Sequence, residues 1–303
     1  MKRVMMTSVV AGLLGTFGLA PAVSAEGLYG SLRTGVTMTN PDGDGDTTWE
    51  LGNIENSLGS RIGVKASHEL DGGMTAGLHV EKQIGTWGTR LQNVYISGGV
   101  GTLTLGQQWT TIYNRTTIDG AYFLGGSTDP IFRANGIKFA SSLGGPFNFD
   151  VMIRDNSADG EGEGVDIVEL GGTLGVGGVA VNVGYLEQDD DAAGGGLEML
   201  GATVGGSFGG LGWKIGASSR ELQDTSEVER FALFASYSLM EGGTAYVEYE
   251  DQTTDAADGT ESDNNWLLVG YSQSLGAGAT AIAEYRTADM GNDVAAIALK
   301  IDF

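Results

Sequence analysis

Apolar and polar residues alternate along much of the chain, a period of two that predicts β-strands with one apolar and one polar face. The alternation is clearest in the stretches 147–154, 211–218 and 244–250. Tight glycine turns, such as 71–73, and longer polar loops, such as 155–164 and 251–263, separate these stretches in turn. The pattern therefore predicts antiparallel strands that are joined alternately at a short-turn end and a long-loop end.

The predicted strands number sixteen, because seven short turns and eight longer loops separate them. Residues 26–303 provide 278 residues, about 17 for each strand with its connection, which fits barrel strands of about 9–11 residues. No segment after the first 25 residues is apolar for the roughly 20 residues that a spanning helix requires. A membrane-spanning form of this chain would therefore have to be a closed barrel.

Aromatic residues on the otherwise aliphatic face fall at two levels. The level near the short-turn end contains Phe147, Phe208, Trp213, Tyr237, Tyr271 and Phe303, and the level near the long-loop end contains Tyr185, Tyr249 and Tyr285. Two aromatic belts around an aliphatic band are typical of a membrane barrel, whereas a soluble β-sandwich has no reason to sort its aromatic residues. We therefore expect an all-β fold, a sixteen-stranded antiparallel transmembrane β-barrel.

The first 25 residues have the pattern of a secretory signal peptide, with two basic residues, the apolar run 4–20 and a small-residue cleavage site at 23–25. The alternative is a transmembrane anchor, which a short run ending in a cleavage motif disfavours. We expect residues 1–25 to be cleaved and residues 26–303 to form the exported barrel domain.

Composition excludes several classes of protein. The 39 acidic and 16 basic residues give a net charge of −23, which, with no basic cluster, argues against nucleic acid as a partner. The absence of cysteine excludes a disulfide scaffold, thiolate zinc sites and a cysteine nucleophile. The 52 glycines follow no three-residue period, and a hydrophobic content of 41% argues against disorder. A glycine-rich, acidic β protein remains.

Three segments resemble the Gram-negative general (non-specific) diffusion porins. Residues 26–33 (EGLYGSLR) are similar to the family's first strand, residues 101–109 (GTLTLGQQW) to the strand before its constriction loop, and residues 298–303 (ALKIDF) to its last strand. The resemblance implies a barrel of the Gram-negative outer membrane, usually trimeric, that passes small hydrophilic solutes passively. It also implies trimmed loops, because 278 residues are few for the family.

The connection 110–133 is the longest and carries many apolar residues. Exposed outside a barrel, that surface would be an aggregation liability, so we expect the connection to fold inward as a constriction loop. Its acidic residues either face the pore or only cap turns. The candidate residues of this loop are Tyr113, Tyr122, Phe123, Asp119 and Asp129.

Strand parity predicts a basic wall on the inner face of strands near this loop. The predicted pore-lining residues are Arg33, Arg61, Lys65, His79, Lys138 and Arg154. Basic residues opposite an acidic loop would create a transverse field that orients dipolar solutes and selects ions by charge. The alternative is that the arginines pair with Glu69 and Glu81 on the same wall.

Acidic residues concentrate at the long-loop end. Six segments hold 25 of the 39 acidic residues and no lysine or arginine, namely 41–53, 155–166, 187–196, 221–229, 250–263 and 287–293. A negative mouth concentrates cations, by an effect that salt screens. We therefore expect a modest cation preference.

We expect no resident cofactor and no metal site. The run 42–46 begins like a calcium loop, but its twelfth position is Asn53 instead of the bidentate glutamate of an EF-hand. The acidic loop is thus expected to be solvated, and loose Ca²⁺ binding is the alternative.

Two other functions stay open. An outer-membrane enzyme would need an oriented nucleophile and base, but the only histidines, His68 and His79, lie in no catalytic motif, so we expect no enzymatic activity. A channel specific for sugars or another nutrient would need a path of inward aromatic residues, and the inward ones are scattered: Tyr29, Phe234, Tyr246 and Trp266. The expected partners are outer-membrane lipid, lipopolysaccharide, further copies of the chain in a homotrimer, and small hydrophilic solutes and ions.

Overall fold

The structure is a computed structural model that describes residues 24–40, 45–52, 59–118, 120–124, 133–142, 145–155, 165–189, 196–222, 226–239, 242–289 and 291–303. Its elements are β1 (Ser24–Asn40), β2 (Thr48–Gly52), β3 (Arg61–Leu70), β4 (Met74–Gln83), β5 (Thr89–Gly98), β6 (Gly101–Trp109), α1 (Thr111–Thr116), β7 (Arg133–Ser141), β8 (Phe147–Arg154), β9 (Ile167–Val176), β10 (Val179–Gln188), β11 (Leu197–Phe208), β12 (Leu211–Leu222), β13 (Glu227–Ser238), β14 (Gly243–Asp255), β15 (Glu261–Gly276), β16 (Ala279–Ala288) and β17 (Asp293–Asp302). No helix among the described residues is both long enough and apolar enough to cross a membrane.

The strands form one closed antiparallel sheet. Each strand from β3 to β17 pairs with its neighbours along the chain, and β1 pairs with β17, so that the sheet has no open edge. Strands β2 and β3 pair with the same edge of β1. Strand β2 pairs with the later residues of β1, for example Thr37↔Glu50, and β3 with the earlier ones, for example Tyr29↔Gly63. The two strands therefore occupy one position in the barrel. The predicted sixteen-stranded antiparallel barrel is confirmed.

Tight turns join the strands at one end of the barrel. At Gly177 and Gly178 the backbone has φ values of 59° and 84°, a conformation that glycine adopts at little cost. At the other end the predicted long loop 251–263 is wrong, because β14 continues to Asp255 and β15 begins at Glu261. Side chains on both faces of this extension are polar, so the apolar period that marks the other strands is lost there.

The two faces of the sheet have opposite character. Outward positions carry exposed aliphatic side chains, for example Val183 at 45% exposure, Leu200 at 54% and Ile297 at 71%. Inward positions carry the buried arginines and glutamates, such as Arg33 and Glu248. Soluble proteins bury apolar side chains and expose polar ones. The opposite arrangement in this chain suits a barrel that faces lipid outside and a polar lumen inside.

Candidate functional site

The candidate site lies inside the barrel, between its inner wall and the segment that follows β6. We call residues Thr110–Leu124 the inner segment, of which all but residue 119 are described. The segment begins with α1, whose N-cap Thr110 accepts a hydrogen bond from the N–H of Tyr113. Helix α1 contacts β8, β9, β10, β11 and β12. Its later residues contact β14, β16 and β1, so the segment follows more than half of the wall.

Glycines on the inner face make room for α1. Gly171, Gly184 and Gly201 stand directly opposite one another on β9, β10 and β11, and we call this row the glycine trench. A Cβ atom added at Gly201 would lie 2.6 Å from Cγ2 of Thr116, and one added at Gly184 would lie 3.0 Å from Cδ1 of Ile112. Larger residues in this row would therefore collide with the helix, and only glycine lets it approach the wall.

Three buried glutamates on the wall bind the backbone of the inner segment. Glu284 accepts hydrogen bonds from the N–H groups of Tyr122, Phe123 and Leu124, with N···O distances of 2.6, 2.9 and 2.7 Å. Glu248 accepts those of Gly120 and Ala121 at 3.0 and 3.1 Å, and Glu169 accepts that of Ile112 at 2.9 Å. Such charge-assisted bonds to backbone N–H groups are among the stronger hydrogen bonds in proteins. The carboxylates thus hold a segment that has no strand partner.

Apolar packing adds to this attachment. Ala121, Phe123 and Leu124 form one buried cluster with inward residues of β14 to β17, namely Tyr246, Trp266, Leu268, Ile282, Ala296 and Ala298. A second buried cluster surrounds Ile112 of α1. The predicted loop residues Tyr122 and Phe123 therefore lie against the wall. Tyr113 stacks on Trp109, with ring centroids 4.9 Å apart.

Three residues of the predicted basic wall lie beneath or beside the inner segment. Arg33 donates to the carbonyl of Tyr122 at 3.0 Å and is 4% exposed. Lys138 donates to the carbonyl of Trp109 at 2.7 Å. Arg154 pairs with Glu169 at 2.8 Å, below α1. Arg33 thus binds the segment directly, Arg154 pairs with a glutamate that binds the segment, and Lys138 binds the last residue of β6, from which the segment starts.

The other three predicted basic residues, Arg61, Lys65 and His79, lie on β3 and β4, apart from strands β8 to β12 on which α1 packs. Arg61 pairs with Glu81 at 3.4 Å. Lys65 lies 5.2 Å from the ring centroid of Tyr29, whose hydroxyl contacts both His79 and Glu81.

The sequence left open that the arginines pair with glutamates on the same wall. Arg61 and Glu81 form such a pair. The acidic residues predicted to face this wall, Asp119 and Asp129, both lie outside the described ranges.

Sequence reasoning missed Arg90, which pairs with Glu81 at 2.6 Å and is 2% exposed. The register of β4 and β5 shifts between Glu81 and Lys82, and this bulge brings Arg90 to the inner side against the simple alternation. Arg115 of α1, which pairs with Asp150 of β8, was missed because contacts of a docked segment have no period in the sequence.

The three segment-binding glutamates were also missed, although they share inward parity. In so acidic a chain that parity alone does not distinguish them. The described residues contain no group of histidine and acidic side chains arranged for a metal ion, and most of the run 42–46 lies outside them.

Replacing Glu284 by glutamine should loosen the far end of the inner segment. Glutamine offers one acceptor oxygen where three N–H groups and the hydroxyl of Tyr246 now donate, and its amide adds a competing donor. Each buried N–H left without a partner costs about 1–3 kcal/mol. We expect noisier single-channel currents and closure at lower voltage.

The matched control is Glu250→Gln, which changes an inward glutamate of β14 that pairs with Arg230 instead. Equal current noise and closure voltage in the two variants would contradict the role of Glu284.

A closed antiparallel barrel with an apolar outside, a polar inside and an apolar segment held against its inner wall defines a β-barrel membrane protein of the outer-membrane type. Residues 7–293 match the family model described as Gram-negative porin, and the chain belongs to this family. The predicted resemblance is thereby confirmed. Family and fold together indicate the outer membrane.

Relatives and solved structures agree with the assignment. The outer membrane porin protein 32 of Delftia acidovorans is 30% identical over 224 residues, which cover 62% of this chain and 64% of that protein, so the match spans less than two thirds of the relative's length. The trimer form of OmpT from Vibrio cholerae has 17% identity and a TM-score of 0.74 over 93% of this chain and 100% of that one. The anion-selective porin from Comamonas acidovorans has 18% identity and a TM-score of 0.72 over the same shares.

Proposed function

We propose that the protein is a passive diffusion channel for ions and small hydrophilic solutes across the outer membrane. The observation that carries this proposal is the inner segment, which lies along the β8-to-β1 side of the lumen and leaves the polar wall of β3 to β5 as the boundary of a passage. The segment would then act as the constriction loop. The Gram-negative porin family to which the chain belongs supports this function.

The charges that would border the passage support selection by electrostatics. Arg61, Lys65 and His79 project from β3 and β4, with Arg90 and Glu81 behind them. If Asp119 and Asp129 stand opposite, a transverse field crosses the passage and orients dipolar solutes. Arg33, Lys138 and Arg154 would contribute to this field from below the segment.

The proposed ion preference is a modest one for cations at low ionic strength. Its source is the acidic mouth, where six segments hold 25 acidic residues and no lysine or arginine. In the turn after β14, hydrogen bonds from the side chain and the backbone of Thr260 lower the pKa of Asp258, which keeps that carboxylate ionised. Exposed charges of this kind attract cations until salt screens them.

Reversal potentials in a planar bilayer test the preference. In KCl gradients near 0.01 M the Debye length is about 30 Å and the mouth should favour potassium, whereas near 1 M it is about 3 Å and the preference should fade. An anion preference at low salt, the property for which the porin from Comamonas acidovorans is named, would overturn the proposed sign. Absence of conductance from folded barrels would overturn the channel itself.

A nutrient-specific channel is the second candidate, and the inward aromatic residues do not favour it. Tyr246 and Trp266 are 6% and 7% exposed beneath the inner segment, and Phe234 packs against the same cluster. Of the four aromatic residues that the sequence predicts to face inward, only Tyr29 stands apart from that cluster, so these four do not form a path for sugar rings. Block of the current by one sugar at low concentration would favour this candidate instead.

We also propose a homotrimer in contact with outer-membrane lipid and lipopolysaccharide. The solved structure of OmpT in its trimer form, similar in fold, supports the oligomeric state. Conductance steps that occur in threes, together with the mass of the purified complex, would test it.

A further inference from the structure

Two rows of the inner wall repeat the same three residue types on three adjacent strands. In each row a tyrosine stands opposite a glycine, and that glycine stands opposite a glutamate on the next strand. The first triad is Tyr29 of β1, Gly63 of β3 and Glu81 of β4. The second triad is Tyr246 of β14, Gly270 of β15 and Glu284 of β16. The two triads therefore have the same order around the barrel.

The glycine of each triad lets the tyrosine lie across its strand. A Cβ atom added at Gly63 would lie 2.5 Å from the hydroxyl oxygen of Tyr29. One added at Gly270 would lie 2.6 Å from the hydroxyl oxygen of Tyr246. Each hydroxyl thereby reaches past the opposite strand and donates to the glutamate of its triad, at 2.8 Å in the first and 2.6 Å in the second. Only glycine leaves room for this reach.

The two glutamates that receive these hydrogen bonds have different partners. In the second triad, Oε1 of Glu284 accepts both the hydroxyl and the N–H of Tyr122, so the tyrosine is bound to an anchor of the inner segment. In the first triad, Oε2 of Glu81 accepts the hydroxyl and lies 3.4 Å from Arg61. A hydroxyl fixed in place restricts the rotation of the carboxylate that these groups share.

The first tyrosine also contacts basic residues that border the proposed passage. The Tyr29 hydroxyl contacts His79, and Nζ of Lys65 lies 5.2 Å from its ring centroid. The second tyrosine instead packs against the inner segment, with the rings of Tyr246 and Tyr122 at a centroid distance of 5.9 Å. One triad thus adjoins charges of the passage, and the other adjoins the segment that narrows it.

We propose that Tyr29 and Tyr246 are positioning residues, each of which acts through the glutamate of its own triad. The first triad sets the ion selectivity, because it fixes the counter-charge of Arg61. The second triad sets the voltage at which the channel closes, because it fixes the carboxylate that holds the inner segment. This proposal rests on the proposed channel function and assigns two of its properties to separate residues.

Single-channel recordings of Tyr29→Phe and Tyr246→Phe test the assignment, because phenylalanine keeps the ring and removes only the hydroxyl. Tyr29→Phe should shift the reversal potential at high salt toward anions, since Glu81 can then turn toward Arg90 and neutralise Arg61 less. Its closure voltage should stay unchanged. Tyr246→Phe should close at lower voltage with noisier current, at an unchanged reversal potential.

Double variants show whether each tyrosine acts through its glutamate. Tyr29→Phe combined with Glu81→Gln should shift the selectivity no further than Glu81→Gln alone. Tyr246→Phe combined with Glu284→Gln should close at the same voltage as Glu284→Gln alone. Gly63→Ala, which expels the ring from its place, should reproduce the selectivity shift of Tyr29→Phe.

Tyr95 of β5 provides the matched control. It lies across Gly77 of β4, where an added Cβ atom would be 2.6 Å from its Cε1, but the third residue of this row is Ser67 instead of a glutamate. Tyr95→Phe should leave both the reversal potential and the closure voltage unchanged. Heat-modified migration on gels verifies that each variant keeps its barrel.

Hydrogen exchange in detergent, followed by mass spectrometry, gives a readout that does not depend on conductance. Tyr246→Phe should speed exchange about tenfold in the peptide that contains Phe123 and Leu124, and Tyr29→Phe should not. Equal effects of Tyr95→Phe, additive double variants, or selectivity and closure voltage that change together would overturn the proposal. Failure of the channel function itself would be visible separately, as absence of conductance from the unsubstituted protein.

Discussion

Valine in place of Gly201 is expected to narrow the passage and to lower the single-channel conductance. Its Cβ atom would lie 2.6 Å from Cγ2 of Thr116, and its two methyl groups would extend further toward α1. The barrel wall is fixed by strand pairing on both sides of β11, so the helix has to move toward the lumen. Overpacking of this kind costs about 1–3 kcal/mol.

The measurement is the conductance of reconstituted channels, combined with the size of the polyethylene glycol that still enters the pore. The matched control is Gly175→Val on β9, another inward glycine, where an added Cβ would meet its nearest atom at 3.8 Å. The control should conduct like the unchanged protein. If the Gly201 variant also did so while keeping its barrel, the inner segment would not border the passage.

Neutralising Glu81 is expected to have the second large effect, a shift of the ion selectivity toward anions. This buried carboxylate is the common partner of Arg61 at 3.4 Å, Arg90 at 2.6 Å and the hydroxyl of Tyr29 at 2.8 Å. Glutamine at this position leaves the positive charges of two arginines without their shared counter-charge. Breaking a buried ion pair by removing one partner typically costs about 3–5 kcal/mol, so the variant should also unfold more readily.

Reversal potentials at high salt, where the mouth is screened, measure this shift most directly. Glu69→Gln is the control, because Glu69 shares the inner face of β3 but lies exposed near the short-turn end. The double variant Glu81→Gln, Arg90→Gln restores the balance of charge and should return part of the selectivity. Equal shifts in the two single variants would mean that Glu81 does not govern the charge at the passage.

The barrel could be predicted from the sequence because a lipid environment imposes a period of two on every strand. Lipid-facing positions such as Val183 and Leu200 must be apolar, and the residues between them face the lumen. The same parity predicts an inward direction for Arg33, Lys138 and Arg154. It could not identify the partner of Arg33, because the carbonyl of Tyr122 belongs to a segment that docks without strand pairing.

Two further features escaped prediction for local reasons. Arg90 sits at a bulge, where the alternation fails by one residue. The extension of β14 and β15 beyond the apolar band has no apolar face to reveal it. A search for inward glycines in one register row, such as Gly171, Gly184 and Gly201, would have located the seat of α1.

The pairing of β1 with β17 has a consequence for how the molecule assembles. Ten residue pairs, from Ser31↔Asp302 to Asn40↔Asp293, join the strands that are farthest apart in the chain. Until they meet, β1 and β17 both present unsatisfied backbone edges, which cannot remain in hydrocarbon. Insertion into the membrane and closure of the barrel are therefore coupled. Pairing of β1 with β17 closes the longest loop in the chain and has the highest entropic cost of all the strand pairings. We therefore expect this pairing to limit the rate of assembly.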